Sequence, residues 1–199
     1  ITWALESYRL EGQTAKLENK DLEQQLISYI LDRFRARYDD EGVSVDVFLS
    51  VNARRPTQAL DFDNRVKAVD AFSKRPEAAA LAAANKRVSN ILAKQAAEVS
   101  GSNLDHGLLS EPAEQTLAEQ LQTLESDVLP LFDKGDYAAA LSRLASLQAP
   151  VDSFFEEVMV MDDDPAIRQN RLALLKKLSD LFLRAADISL LSKLITTYL

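Results

Sequence analysis

Cysteine is absent from the 199 residues. That removes disulfides and thiolate metal sites and fits a cytoplasmic setting. Histidine occurs once, at His106 in a turn-rich stretch. A lone loop histidine reads as a solvent-exposed bystander, and it leaves no imidazole cluster for a metal and no near partner for a serine nucleophile. The five glycines are isolated, which excludes a glycine-rich phosphate loop. The acidic run Asp162-Asp163-Asp164 lacks the spaced ligands and glycine of a calcium loop. No apolar run approaches the roughly 20 residues of a membrane span, and no signal peptide is visible, so no membrane partner is expected. The chain opens on Ile1-Thr2-Trp3 without methionine, and Trp3–Leu10 already reads as helix. The expectation is a piece cut from a longer polypeptide.

A net positive charge is lacking too. The formal total is −8, which by itself argues against nucleic acid, but the distribution is uneven. Residues 52–95 hold nine basic side chains and four acidic ones, a net +5, so the rest of the chain carries −13. A basic island on an acidic protein is either a phosphate-facing surface or an ordinary solvated face.

Alanine and leucine are abundant, apolar residues make up 47% and β-branched runs are short. Helix after helix joined by short turns predicts an all-α bundle. Residues 1–12 read as a helix end capped by Gly12, and 13–19 as a loop. Asp21 to about Asp40 carries Leu22, Leu26, Ile30 and Phe34 at helical spacing, and Gly42 ends it. A short helix over Val45 to Asn52 and another from Ala59 or Leu60 to Ser73 follow. In the latter, Phe62, Val66, Val69 and Phe72 face inward. Pro76 opens an alanine-rich helix to about Ala97, and residues 98–110 are a loop. Glu111-Pro112 restarts a helix to about Leu131 or Phe132, and Asp136 caps the next. Pro150 should interrupt that helix, with Val151 to Val158 as a kinked or separate piece. Asp164-Pro165 then starts a long helix to about Ala186, the acids suiting the positive end of its dipole. Ile188–Leu199 is apolar.

RNA-binding chemistry has the best support. Lys86, Asn90 and Lys94 fall on one side of the alanine-rich helix at i, i+4, i+8, with Arg87 beside them and Leu81, Ala84 and Val88 opposite. Cations supply salt-dependent affinity for phosphates, and an amide can donate to and accept from a base edge. Arg54-Arg55, before Pro56, can grip phosphate from a loop or simply solubilise a junction. On the wheel of the long helix, Leu172, Leu175, Leu178 and Phe182 define the buried side. Arg168 and Arg171 share that side, whereas Asn170 points away. Arg168 and Arg171 therefore read either as a structural buckle to Asp152, Asp162, Asp163 or Asp187, or as RNA contacts. Asn170 reads as a further RNA contact.

Three separated segments carry a family resemblance: RRPTQALDFDNRVKAVDAF, LAAANKRVSNILAK and FFEEVMVMDDDPAIRQNRLALL. In this order they resemble the C-terminal part of the bacterial glycyl-tRNA synthetase beta subunit, over roughly residues 45–190. The later part also resembles the helical anticodon-binding domain of class I arginyl-tRNA synthetases, named for its DALR motif. Here the corresponding tetrapeptide reads Ala186-Asp187-Ile188-Ser189, so the literal motif is absent. The resemblance implies an anticodon-binding domain over residues 56–199. Residues 1–55 would be a helical linker or the end of an upstream HD-type domain, whose metal-binding histidines this chain does not supply. It implies tRNA-Gly and an alpha subunit as partners, within a heterotetramer. Glycine activation, with its ATP and magnesium, is assigned to the alpha subunit, and no cofactor to this chain. Lys86, Arg87, Asn90 and Lys94 lie inside the second segment. Asn90 or Arg87 is then expected on the anticodon cytosines, with Lys86, Lys94, Arg54 and Arg55 on phosphates.

The competing reading is a helical scaffold for subunit or domain docking through the alanine-rich helix and Ile188–Leu199. An independent hydrolase is the weakest reading, because nucleophile and metal constellations are missing.

Overall fold

Residues 21–96 and 103–191 are described by a computed structural model. The expectations for residues 1–20, for the helix end at Ala97, for the turn Ser100-Gly101-Ser102 and for residues 192–199 lie outside the described residues. The all-α expectation is borne out, since no strand occurs among the described residues. The chain divides between Val45 and Asp46 into two compact units.

The first unit contains α1 (Leu22–Asp40). Gly42, with φ 79°, takes the left-handed conformation that ends it, and the Gly42 and Val43 amides donate to Asp39 and Tyr38 carbonyls. The stripe read as a core face stays largely open: Leu26, Ile27 and Ile30 are 36–40% exposed.

The second unit is built from α2 (Val45–Asn52), α3 (Ala59–Ser73), α4 (Pro76–Lys94), α5 (Pro112–Asp133), α6 (Tyr137–Leu144), α7 (Gln148–Glu157) and α8 (Pro165–Leu183), with 3-10 turns at His106–Leu108 and Ala145–Leu147. α6 packs between α3 and α5, and α4 packs against α7 and α8. Phe62, Phe154, Phe182, Leu117, Leu141 and Leu175 are fully buried where these helices meet. Burying a side chain of this size is worth about 1.5–3 kcal/mol. The inward set read for α3 holds, with Phe62, Val66, Ala68, Val69 and Phe72 all buried. So does that of α8, where Leu172, Leu175, Leu178 and Phe182 are buried.

The alanines of α4 serve the interior. Ala78, Ala82 and Ala84 are buried, and small side chains let neighbouring backbones approach, so this face is not a free docking surface. Asn85, a polar residue in the same row, is buried and donates to the Leu81 carbonyl at 3.0 Å.

The α5–α6 turn is tight because Gly135 adopts φ 73°. Its amide donates to Phe132 O and that of Asp136 to Leu131 O, while the Asp136 carboxylate accepts from Ala139 N at 3.1 Å and starts α6. The break expected at Pro150 comes earlier. α6 stops at Leu144, a 3-10 turn intervenes, and α7 begins at Gln148. Pro150 therefore sits in a first helical turn, where its missing N–H costs nothing. α8 ends at Leu183, three residues short of the expected end, and Asp187 N is then captured by Ser50 O of α2 at 2.9 Å.

Candidate nucleic-acid interface

The charge imbalance of residues 52–95 resolves into named side chains. Each of its four acids pairs with a cation of the same window: Asp61 with Arg65 at 2.8 Å, Asp63 with Lys67 at 2.6 Å, Asp70 with Lys74 at 2.6 Å and Glu77 with Arg75 at 3.4 Å. The surplus is carried by Arg54, Arg55, Lys86, Arg87 and Lys94. All five are exposed, and among the described residues none has a carboxylate partner within ion-pair distance.

Three of the five stand on α4. Pro76 at its first position and Glu77 in its first turn favour the helix start. Leu81, Ala84, Asn85 and Val88 bury one side, which turns Lys86, Asn90 and Lys94 outward in a row one turn apart. Arg87 is held: its guanidinium carbon lies 4.2 Å above the centre of the Phe155 ring, on α7. Stacking fixes the plane of the guanidinium and leaves its N–H groups available. The sequence offered no pointer to this pairing, because Phe155 lies 68 positions later.

The other two stand in the α2–α3 connection. Arg55 has φ 50°, the left-handed region, the single non-glycine residue there among the described residues. The chain holds it by donating Arg54 N to Val51 O and Arg55 N to Asn52 O. Arg54 does not join the α4 row. It lines a cavity of about 220 Å³ with Arg65, Phe132, Tyr137, Leu183 and Arg184, and no α4 residue takes part. Within the wall, Arg65 donates to the Arg184 and Ala185 carbonyls at 2.6 and 2.8 Å and lies 4.3 Å from the Tyr137 ring centre. The Tyr137 hydroxyl donates to Asp61. Burial, reinforced by that bond, pushes the Tyr137 phenol above its usual range. A larger groove of about 600 Å³ runs along α8 past His106 and meets this cavity at Arg184. Its two lysines are already paired, Lys176 with Asp180 and Lys177 with Glu125.

The start of α8 is a latch. Asp164 caps it by accepting from Ala166 N at 2.8 Å, and Asp162 accepts from Asp164 N at 2.9 Å. Arg171 is 3% exposed. It pairs with Glu114, itself fully buried, and donates to Asp162 Oδ2 at 2.7 Å and to Met159 O at 2.8 Å. The other Glu114 oxygen accepts from Ser110 N and Glu111 N, completing the cap of α5. One buried guanidinium thus joins the starts of α5 and α8. Asp162 is among the partners expected for it, and Glu114 is not. Its spacing from Glu111 marks a capping box, but a capping glutamate is ordinarily solvent-facing, and its second oxygen gives no sign in the sequence. Arg168 donates to Asp162 O at 2.8 Å. The Asp164 amide, then the Arg171 guanidinium, holds the Asp162 carboxyl below the usual carboxylate range.

Asn170 corrects the wheel reading. It is 3% exposed rather than turned to solvent. Its amide oxygen accepts from Asp105 N at 2.7 Å and its amide nitrogen donates to Asp105 O at 2.9 Å. Both ends are spent clamping the segment before α5, so Asn170 presents nothing to a base edge. The segment covers α8 at Asn170, while Pro165, Ala166 and Gln169 before it stay exposed.

Among the described residues no group of His, Cys, Asp or Glu side chains is arranged to hold a metal ion, and no helix is long and apolar enough to cross a membrane.

Comparison with known proteins locates this architecture. The glycine–tRNA ligase beta subunit of Marinobacter nauticus is 60% identical over 166 residues, 83% of this chain and 24% of that protein. That of Aeromonas salmonicida is 55% identical over 186 residues, 94% of this chain and 27% of the relative. That of Glaesserella parasuis is 54% identical over 176 residues, 88% and 25% respectively. The chain spans about a quarter of the length of these relatives. The model of the DALR anticodon binding domain matches residues 81–191, from the middle of α4 to just beyond α8. The resemblance read from the three segments is borne out, and the chain belongs to the DALR anticodon binding domain family.

Proposed function

We propose that this chain is the anticodon-recognition part of a two-subunit glycine–tRNA ligase, binding tRNA-Gly through the outer face of α4. The observation that carries the reading is the unpaired row Lys86, Arg87 and Lys94, with Asn90 among them, inside the segment that the anticodon-binding family model matches. Unpaired cations in a row release counterions when they meet a phosphate backbone. Arg87 and Asn90 carry the donors, and Asn90 the acceptor, that a cytosine edge requires. In this reading Lys86 and Lys94 hold phosphates on either side. Glycine activation, with ATP and magnesium, belongs to an alpha subunit, and the assembly works in the cytoplasm. Arg168, Asn170 and Arg171 position α8 and take no part in RNA contact.

Footprinting of tRNA-Gly with the full chain tests the reading. Protection should cover the anticodon loop, and replacing either anticodon cytosine should weaken binding. Protection confined to the acceptor stem, or indifference to the cytosines, would overturn it.

A docking role for the first unit has one observation in its favour: Leu26, Ile27, Tyr29 and Ile30 leave an open apolar stripe on α1.

A further inference from the structure

We propose that the cavity lined by Arg54, Arg65 and Arg184 is a second RNA-phosphate site, independent of the α4 row. The inference rests on the tRNA-binding reading and adds a second anchor to it. Three arginines from three different segments converge on one concavity: Arg54 from the α2–α3 connection, Arg65 from α3 and Arg184 from the end of α8.

They are not equivalent. Arg65 is fixed by Asp61, by the two carbonyls at the α8 terminus and by the Tyr137 ring. It is therefore a preorganised wall of the cavity. Arg54 is exposed and carries no ion pair among the described residues. Among the described residues the Arg184 guanidinium pairs with Asp133 alone, at 3.7 Å with side chains 46% and 73% exposed, and lies 5.8 Å from the Phe132 ring centre. An exposed pair at that distance is worth little and exchanges readily for a better anion.

The cavity, at about 220 Å³, is smaller than the roughly 300–1,000 Å³ of small-molecule pockets. It suits a phosphodiester better than a nucleotide or a metabolite, and guanidinium forks match phosphate oxygens in geometry. The left-handed Arg55 supports the same conclusion. A non-glycine residue at φ 50° beside the cavity is backbone strain of the kind that accumulates where a loop must present a side chain. Its neighbour Arg54 is the side chain so presented.

The test compares the full chain with the Arg54→Ala/Arg184→Gln double variant and with Asp133→Asn, measuring tRNA-Gly affinity across a salt series. The double variant should bind about tenfold more weakly, with the salt slope reduced by about one for each cation removed. Asp133→Asn, which frees Arg184, should bind more tightly, a gain that misfolding cannot imitate. If the wild-type chain binds tRNA-Gly and both variants match it, the cavity is not an RNA site and the α4 reading survives. If inorganic phosphate binds the wild type and not the double variant while tRNA affinity is unchanged, the cavity is a small-anion site and the inference is overturned. If the wild type binds no tRNA at any salt, the functional reading falls and this inference with it.

Discussion

Arg87 on α4 lies with its guanidinium carbon 4.2 Å above the ring centre of Phe155 on α7. The contact ties the one cation of the outer α4 row that is held among the described residues to α7, which packs against α4. Lys86 and Lys94 keep the rotamer freedom of long exposed chains, whereas Arg87 has its plane set in advance. A guanidinium ordered before binding loses less entropy when it meets RNA. Phe155→Ala should therefore weaken tRNA-Gly binding by about two- to fivefold, in line with an exposed cation–π contact of about 0.5–1 kcal/mol. Phe155→Tyr should leave it unchanged. Filter binding of the two variants decides the matter.

The Arg171–Glu114 pair should be the costliest polar feature to break. Arg171→Met leaves Glu114 buried without its charge partner, and a loss of about 3–5 kcal/mol is expected in urea unfolding. Arg171→Met/Glu114→Leu should recover part of it, because the fully buried carboxylate goes with its partner and only the partly exposed Asp162 loses an ion pair. Lys86→Ala, on the exposed row, should shift unfolding by less than about 0.5 kcal/mol. The contrast separates residues that hold the fold from those that face a ligand.

Asn170→Ala removes the two hydrogen bonds to Asp105. The exposed Asp105 backbone would exchange both partners for water, at a cost of about 0.5–1.5 kcal/mol for each bond. Amide exchange at Asp105 should accelerate with it. An RNA affinity that falls with stability unchanged would contradict the clamping role.

Asp162 gives the helix start a pH dependence whose sign follows from its lowered pKa. The folded protein holds this carboxyl ionised more firmly than the unfolded chain does. The stabilisation is therefore complete above the unfolded carboxylate value of 3.8 and is lost as pH falls through the lower folded value. An NMR titration of Asp162 should show a midpoint below 3.8. In Arg171→Met the midpoint should move only part of the way back, because the Asp164 amide, the larger cause, remains.

Arg55 should tolerate glycine better than its own side chain as far as the backbone is concerned. Relief of the left-handed conformation is worth about 1 kcal/mol, partly offset by the freer unfolded chain. Arg55→Gly should thus raise the thermal midpoint slightly, while Arg55→Val should lower it.

The helices were legible because their signals are local. Pro76, Pro112 and Pro165 each stand at a first helical position, and the leucines of α8 repeat at helical spacing. The surplus cations were legible as a net charge, and the structure shows the surplus resting on five particular residues because the window's four acids each take a neighbour four or fewer positions away. What escaped depends on partners distant in the chain. Asn170 sits on the outward side of an isolated α8, and only the segment around Asp105, 65 residues earlier, covers it. Glu114 reads as an ordinary capping residue until Arg171 arrives from 57 positions away. The Arg54–Arg65–Arg184 convergence spans most of the second unit and leaves no periodic trace.

The central claim is that the outer face of α4 meets the tRNA anticodon region. Its most direct test is the affinity of the full chain for a tRNA-Gly anticodon stem–loop at several salt concentrations, wild type against Lys86→Ala/Arg87→Ala. The account predicts weaker binding in the variant, a salt slope shallower by about two, and an unchanged unfolding midpoint. Equal affinity and an equal slope at moderate salt would contradict it.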